Sequence, residues 1–233
     1  MKRKIQLLVI IPARSQSKKI KNKNIRLLNS HPLVAYSIEA AKNIEEKSKI
    51  VHLSTDSKKI INISKKYYKI NDDLRPKKLA SDKTTDLQLM IYELKKYESY
   101  FEKKYDYICL LQPSSPLRKI KHIKSCFEIL KKSKPDAIWT VSEVDNKFHP
   151  IKQVYSENNY LKYCDKNGKN FVARQDLKKT YIRNGVAYFF SRNSILKKKT
   201  ILPKKTQLFL INKNKIANID SKKDLDFARK KFI

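Results

Sequence analysis

Two kinds of hydrophobic pattern alternate along the chain. Apolar runs at Leu7 to Ile11 and at Tyr105 to Leu111, the second broken only by Asp106, read as strands covered on both faces, as in a parallel sheet. Elsewhere apolar positions recur at helical spacing. Val34, Ile38 and Ala41 predict a helix from Pro32, a good first-turn residue, to about Asn43. Ile50 to Ser54 reads as another strand, followed by Thr55-Asp56-Ser57 and a helix through Tyr67. Beyond a polar loop, Thr85 and Gln88 form a capping box. It opens a helix with Leu87, Ile91, Leu94 and Phe101 along one face. A helix from about Ile120 to Lys132 turns Ile123, Phe127 and Leu130 inward, and a strand from Asp136 to Ser142 follows. The rhythm breaks between Glu143 and Ile182, where alternating stretches such as Gln153-Val154-Tyr155-Ser156 predict hairpins. Apolar strands resume at Val186 to Ser191 and Gln207 to Ile211. Ser221 and Asp224 open a last helix that ends at Phe232.

This order predicts an α/β fold of three layers, α/β/α, with a mostly parallel sheet. It places residues 1–233 in one domain with a β-rich insertion at about 143–182. Ligands of such sheets bind at the carboxyl ends of the strands. The loops after Ile11, Ser54 and Leu111 are therefore the places where chemistry is expected.

Charge narrows the choice of ligand. Lys and Arg number 54 against 22 Asp and Glu, a formal net charge of +32. Such an excess raises nucleic acid as a partner. Yet only 9 of these cations are Arg, and the 45 Lys are spread over every predicted helix. Readers of nucleic-acid sequence lean on the planar Arg fork. The pattern instead reads as a solvated, Lys-rich surface that attracts small anions such as nucleotides. No nucleic-acid partner is expected. No run approaches the roughly 20 apolar residues of a membrane span. The opening MKRKIQLLVIIPAR reads as a first strand rather than a signal peptide, so a cytosolic location is expected. Three cysteines, Cys109, Cys126 and Cys164, are too far apart for a disulfide framework or a zinc site. The first two are expected in the core. The only glycines, Gly168 and Gly185, exclude a Walker A loop and a G-x-G-x-x-G loop.

Four polar segments fall where a ligand would sit. Pro12-Ala13-Arg14-Ser15-Gln16-Ser17-Lys18, continuing to Asn24, offers two cations, hydroxyls and backbone N–H groups to a polyphosphate. It is also what an ordinary basic loop in a basic protein looks like. Leu74-Arg75-Pro76 and Leu79 to Thr85 precede a helix start, which suits a base or ribose contact as well as simple capping. Gln112-Pro113-Ser114-Ser115-Pro116 is a rigid polar tip beyond a core strand, suited to positioning a substrate. Asn218 and Asp220, two apart on an extended segment, point the same way. Their hard oxygens suit Mg²⁺, while Asp220 or Ser221 also serves as a helix cap.

The stretches IIPARSQSKKIKNKNIRLL, LSTDS, RPKKLASD, LLQPSSPLR, NGVAYFF and NIDSKKDLDFA, in that order, resemble the acylneuraminate cytidylyltransferase (CMP-sialic acid synthetase) family. The resemblance runs from Ile10 to about Ala228. It implies a Rossmann-like nucleotidyltransferase that transfers CMP from CTP to the anomeric hydroxyl of a nonulosonic acid for cell-surface glycans, with Mg²⁺ as cofactor. It implies Arg14 and Lys18 as catalytic residues on the triphosphate, with Ser17 beside them. Asn24, Arg75 and Thr84 would hold the cytidine. Gln112, Ser114, Lys152, Arg174 and Tyr188 would face the sugar. Asp220, with Asn218 as a weaker partner, would bind the metal. The 143–182 insertion resembles the family's dimerisation arm, which implies a homodimer. A different acceptor, such as a 3-deoxy sugar acid, is the alternative within enzymes. A non-catalytic nucleotide or nucleic-acid binder of the same fold is the alternative outside them. Three departures from the family pattern stand out. Lys19 and Ser15-Gln16 occupy positions where glycine is usual, Asn218 replaces an Asp, and Ile182 stands where an Arg is usual, with Arg183 next to it.

Overall fold

The computed structural model of the chain describes residues 4–45, 48–170 and 177–232. In chain order the elements are β1 (Leu7–Pro12), the two-residue strands β2 (Leu27–Leu28) and β3 (His31–Pro32), α1 (Leu33–Lys42), β4 (Lys49–Ser54) and α2 (Lys58–Ser64). Then come α3 (Asp86–Tyr100), β5 (Tyr107–Leu110), α4 (Ile120–Ser133) and β6 (Ala137–Glu143). They are followed by β7 (Val154–Glu157), β8 (Tyr160–Tyr163), β9 (Tyr181–Ser191), α5 (Arg192–Leu196), β10 (Thr206–Leu210) and α6 (Lys222–Lys231).

The main sheet has six strands in the order β10-β6-β9-β5-β1-β4. β1 pairs in parallel with β4 and β5, and β10 in parallel with β6. β9 runs against both of its neighbours. Alternation along β1 sends its side chains to both faces. Leu7, Val9 and Ile11 pack with Val34 and Ile38 of α1, Ile60 of α2 and Phe127 of α4. Leu8 and Ile10 pack with Met90 and Leu94 of α3 and Ile195 of α5. Helices therefore cover both faces, which gives the three layers. Cys109 and Cys126 are buried free thiols in this core.

The capping signals hold at atomic detail. Thr85 and Gln88 form a capping box at α3, and Ser221 and Asp224 form one at α6. α2 ends at Ser64, short of the expected Tyr67. The largest difference is β9, which starts at Tyr181 rather than Val186. Its first residues pair with Val141 to Glu143 of β6. Arg183 and Asn184 break the apolar pattern because each has partners on its own face: Arg183 lies over the Trp139 ring and pairs with Asp86, and Asn184 meets Thr140 and Ser142. The Asn184 side chain accepts from Thr140 Oγ1 at 2.7 Å and from the Val186 N–H at 3.2 Å. The end of the expected insertion is thus part of the sheet. Before it, β7 and β8 pair as an antiparallel hairpin with every residue exposed.

Candidate active site

β1 ends at Pro12, and the chain turns into a loop built without glycine. Side chains do the closing instead. Asp56, just past β4, accepts from the Ser15 N–H at 2.7 Å and from Ser15 Oγ at 2.6 Å. Partial burial pushes the Asp56 carboxyl up, but the Ser15 bonds outweigh it and hold the group below its ordinary range. The Asn24 amide donates to the Arg14 carbonyl at 2.8 Å. Arg14 and Lys18 both pair with Asp82, Lys18 at 2.7 Å. These two cations hold the Asp82 carboxyl low, Lys18 most strongly.

The second wall carries Arg75. Its N–H donates to the Thr55 carbonyl at 2.7 Å, which ties the loop before α3 to the end of β4. The side chain is only 7% exposed, and its Nε and Nη2 have no partner among the described residues. Burial lowers the Arg75 pKa, opposed by Asp56 and Glu93. Glu93 lies deeper, accepting from Ser54 Oγ at 2.5 Å and lying 3.0 Å from His52 Nε2. Buried polar groups are nearly always bonded. A buried guanidinium with idle donors on a cleft wall has hydrogen bonds free to offer a ligand. Thr84 sits close by, its hydroxyl 3.2 Å from Ser81 Oγ.

The third wall is the tip after β5. Arg118 is buried beneath it and donates to the carbonyls of Gln112 and Val186, both at 2.7 Å, and of Gly185 at 3.2 Å. Full burial lowers its pKa to about 10. Gly185 sits at φ +75°, and a Cβ there would lie 2.5 Å from Ser115 Oγ and 3.1 Å from Gln112 Oε1. Only glycine satisfies both the dihedral and the space. The Ser114 carbonyl accepts from the Ile219 N–H at 2.7 Å, which brings the fourth segment alongside. There the Asn218 amide donates to Asp220 at 3.1 Å, and Lys23 reaches Asp220 at 3.0 Å.

These walls enclose one cleft of about 550 Å³. Arg14, Ser17, Lys18 and Asn24 line it from the first loop, and Arg75 and Thr84 from the second. Gln112, Ser114, Asn218 and Asp220 complete it. Two other expected residues, Tyr188 and Lys152, lie elsewhere. Tyr188 is not on the cleft wall. Its ring packs edge-on to Trp139 and under the Arg183 guanidinium, and its hydroxyl accepts from the Gly185 N–H at 2.6 Å. The contribution of Tyr188 is to hold Gly185. Lys152 is on the insertion, away from the cleft lining. Arg174 lies outside the described residues. Ile182 is 60% exposed, whereas Arg183 stacks on Trp139 and bonds Asp86, a cleft residue, at 3.1 Å. Arg118 and Asp82 carry no signal beyond their place in polar loops, and Asp86 none beyond its place in the first turn of α3.

Asp220 and Asn218 sit together on the cleft wall and could offer oxygens to a cation, with Asp82 and Asp86 elsewhere on the lining. Among the described residues no group of three or more His, Cys, Asp or Glu could hold a metal. One carboxylate and one amide fit Mg²⁺ only if substrate phosphates complete the shell, which is its usual habit.

A cationic, carboxylate-rimmed cleft at the carboxyl edge of a mostly parallel α/β sheet is the arrangement of a nucleotidyltransferase. The chain belongs to the cytidylyltransferase family, whose model matches residues 8–231, and is a CTP-dependent enzyme of that class. It is 33% identical over 228 residues to the post-translational flagellin modification protein B of Campylobacter coli, covering 98% of this chain and 94% of that one. It is 31% identical to the pseudaminic acid cytidylyltransferase of Campylobacter jejuni strain 81-176, covering 95% and 94%. In fold it resembles a CMP:2-keto-3-deoxy-manno-octonic acid synthetase complexed with CTP, with a TM-score of 0.69, 12% identity and 97% of each chain covered. Among the described residues no helix is long and apolar enough to cross a membrane.

Proposed function

We propose that the protein transfers CMP from CTP to the anomeric hydroxyl of a nonulosonic acid, releasing pyrophosphate. The observation that carries this reading is the convergence of Arg14, Lys18, Arg75, Gln112 and Ser114 on one cleft. Relatives named for pseudaminic and legionaminic acids, at 31% and 32% identity, support the acceptor class.

The anomeric oxygen attacks the α-phosphorus of CTP, and the bond from that phosphorus to the α,β-bridging oxygen breaks. The electron pair leaves with pyrophosphate, and the hydroxyl proton passes to solvent. Arg14 and Lys18 take the phosphate charge, Arg as a fork and Lys as a point charge. Ser17 adds a hydroxyl. Arg75 spends its idle donors on the cytidine, with Asn24 and Thr84 shaping that end. Gln112 and Ser114, fixed from below by Arg118, orient the acceptor so that reaction is a matter of positioning. Asp220 and Asn218 would hold Mg²⁺ against the phosphates, where it supplies charge neutralisation. A homodimer formed through the β7–β8 hairpin, in the cytoplasm, with Lys152 and Arg174 on the sugar side, belongs to the same reading.

Pyrophosphate release tests it. The panel is pseudaminic, legionaminic and neuraminic acids and a 3-deoxy sugar acid, each with CTP, ATP, GTP and UTP. Release with CTP and one nonulosonic acid is expected. Release only with the 3-deoxy acid would move the acceptor, and no release from a chain that binds CTP would remove the activity.

A further inference from the structure

Asp82 spends one carboxylate on two cations. One oxygen pairs with Arg14 and the other with Lys18. These are the cations assigned above to the triphosphate, so Asp82 stands where phosphate oxygens are expected. It is not needed to hold the neighbouring structure. Thr85 caps α3, and Asp56 fixes the Arg14 loop through Ser15. Carboxylates are scarce in a chain with 22 Asp and Glu against 54 Lys and Arg. Asp82 also lines both the cleft and a second pocket of about 560 Å³ that reaches Gln16, Lys21 and Asn22. The Arg14–Asp82–Lys18 bridge lies between the two.

We infer that Asp82 is an internal counterion of the phosphate site: it occupies Arg14 and Lys18 before nucleotide binds, yields to the triphosphate, and returns as pyrophosphate leaves. The inference rests on the active-site reading above. Three properties suit Asp82 to exchange. Its side chain is 36% exposed and that of Lys18 is 78% exposed, so the ion pairs are only weakly held. A single negative charge loses both cations to a polyphosphate that brings several. Once the α,β bond is cut, pyrophosphate no longer has the nucleoside to anchor it, and a tethered carboxylate competes at high effective concentration. Asp82 thus acts through Arg14 and Lys18 as a positioning residue. The second pocket, with Lys21 at its edge, gives the departing pyrophosphate a cationic way out.

The experiment measures pyrophosphate binding to the full chain by calorimetry, with and without Mg²⁺, for the wild type, Asp82→Asn, Arg14→Ala and the double variant. Pyrophosphate product inhibition is measured alongside. Asp82→Asn should bind pyrophosphate about tenfold tighter, the scale of losing two surface ion-pair competitors. Its KM for CTP and its inhibition constant for pyrophosphate should fall, and kcat should not rise. The gain should be smaller in the double variant, where only the Lys18 pair is left to release, which a merely structural role for Asp82 would not require. Unchanged binding in Asp82→Asn overturns the inference. Weaker binding only with Mg²⁺ also overturns it and makes Asp82 a metal ligand. If Arg14→Ala binds pyrophosphate as well as the wild type does, the active-site reading itself has failed.

Discussion

In the proposed reaction, Arg14 is the residue on which the chemistry depends most, while the fold depends on it little. Its side chain is one-third exposed, and its backbone is held by Asn24 whatever side chain it carries. Arg14→Ala should therefore leave the melting temperature nearly unchanged. It should lower kcat/KM by about 10² to 10³, the scale of losing one donor to developing oxyanion charge. Steady-state kinetics beside a thermal melt checks both halves. Asp220 separates differently. It accepts from Lys23 and Asn218 and does not cap α6, since Ser221 does that. In Asp220→Ala the Mg²⁺ needed for half-maximal rate should rise about tenfold or more, with little change in stability. A metal titration that stays put would leave Asp220 only its Lys23 and Asn218 contacts.

At the scale of elements, strand and helix order was readable because it rests on periodicity and caps, and both act locally. Thr85 and Ser221 announce their helices from within four residues. The first half of β9 was not readable, because its polar side chains are satisfied by partners more than 40 residues away in Thr140 and Ser142. The loops at the sheet's carboxyl edge were legible as positions, and the resemblance supplied their roles. What the sequence hid were supports with long-range partners. Arg118 looks like a loop cation and is a buried strut; Tyr188 looks like a pocket wall and is a prop for Gly185. α4 shows the same kind of hidden setting at its first turn. His122 is 8% exposed there, and burial, helped by Lys121, Lys119 and Arg118, lowers its pKa to about 4. Between pH 6.5 and 4 the unfolded chain takes up a proton that the folded chain refuses, so stability is lost as pH falls through that window. The loss should reach about 3 kcal/mol at pH 4, from 1.36 kcal/mol per pKa unit. Denaturant unfolding across this range should show the slope, and His122→Gln should flatten it. Below the window, Asp56 and Glu93, both held low in the fold, add their own loss as they protonate.

For the whole molecule, the unsolved problem is the β7–β8 hairpin. Tyr160 is 75% exposed and Leu161 is 73% exposed, and Val154, Tyr155 and Tyr163 are exposed beside them. A two-stranded hairpin is marginal alone in water, and exposed apolar side chains on it are what the proposed dimer would cover. The net charge of +32 opposes association of two copies at long range, so a dimer of the kind proposed would have to be held by short-range, apolar contact. Salt then acts with opposite signs on the two properties of the enzyme. Screening should strengthen a dimer held by apolar contact and weaken the capture of CTP. Light scattering after size exclusion should give twice the chain mass, more completely at 0.5 M than at 0.05 M NaCl, while KM for CTP rises over the same range. Replacing Tyr160 and Leu161 together by Ser should give the monomer mass with circular dichroism unchanged, because neither residue touches the core. Activity that falls with the mass would mean that the hairpin completes the sugar side of a second copy. Full activity in the monomer would confine the whole reaction to the cleft of one chain.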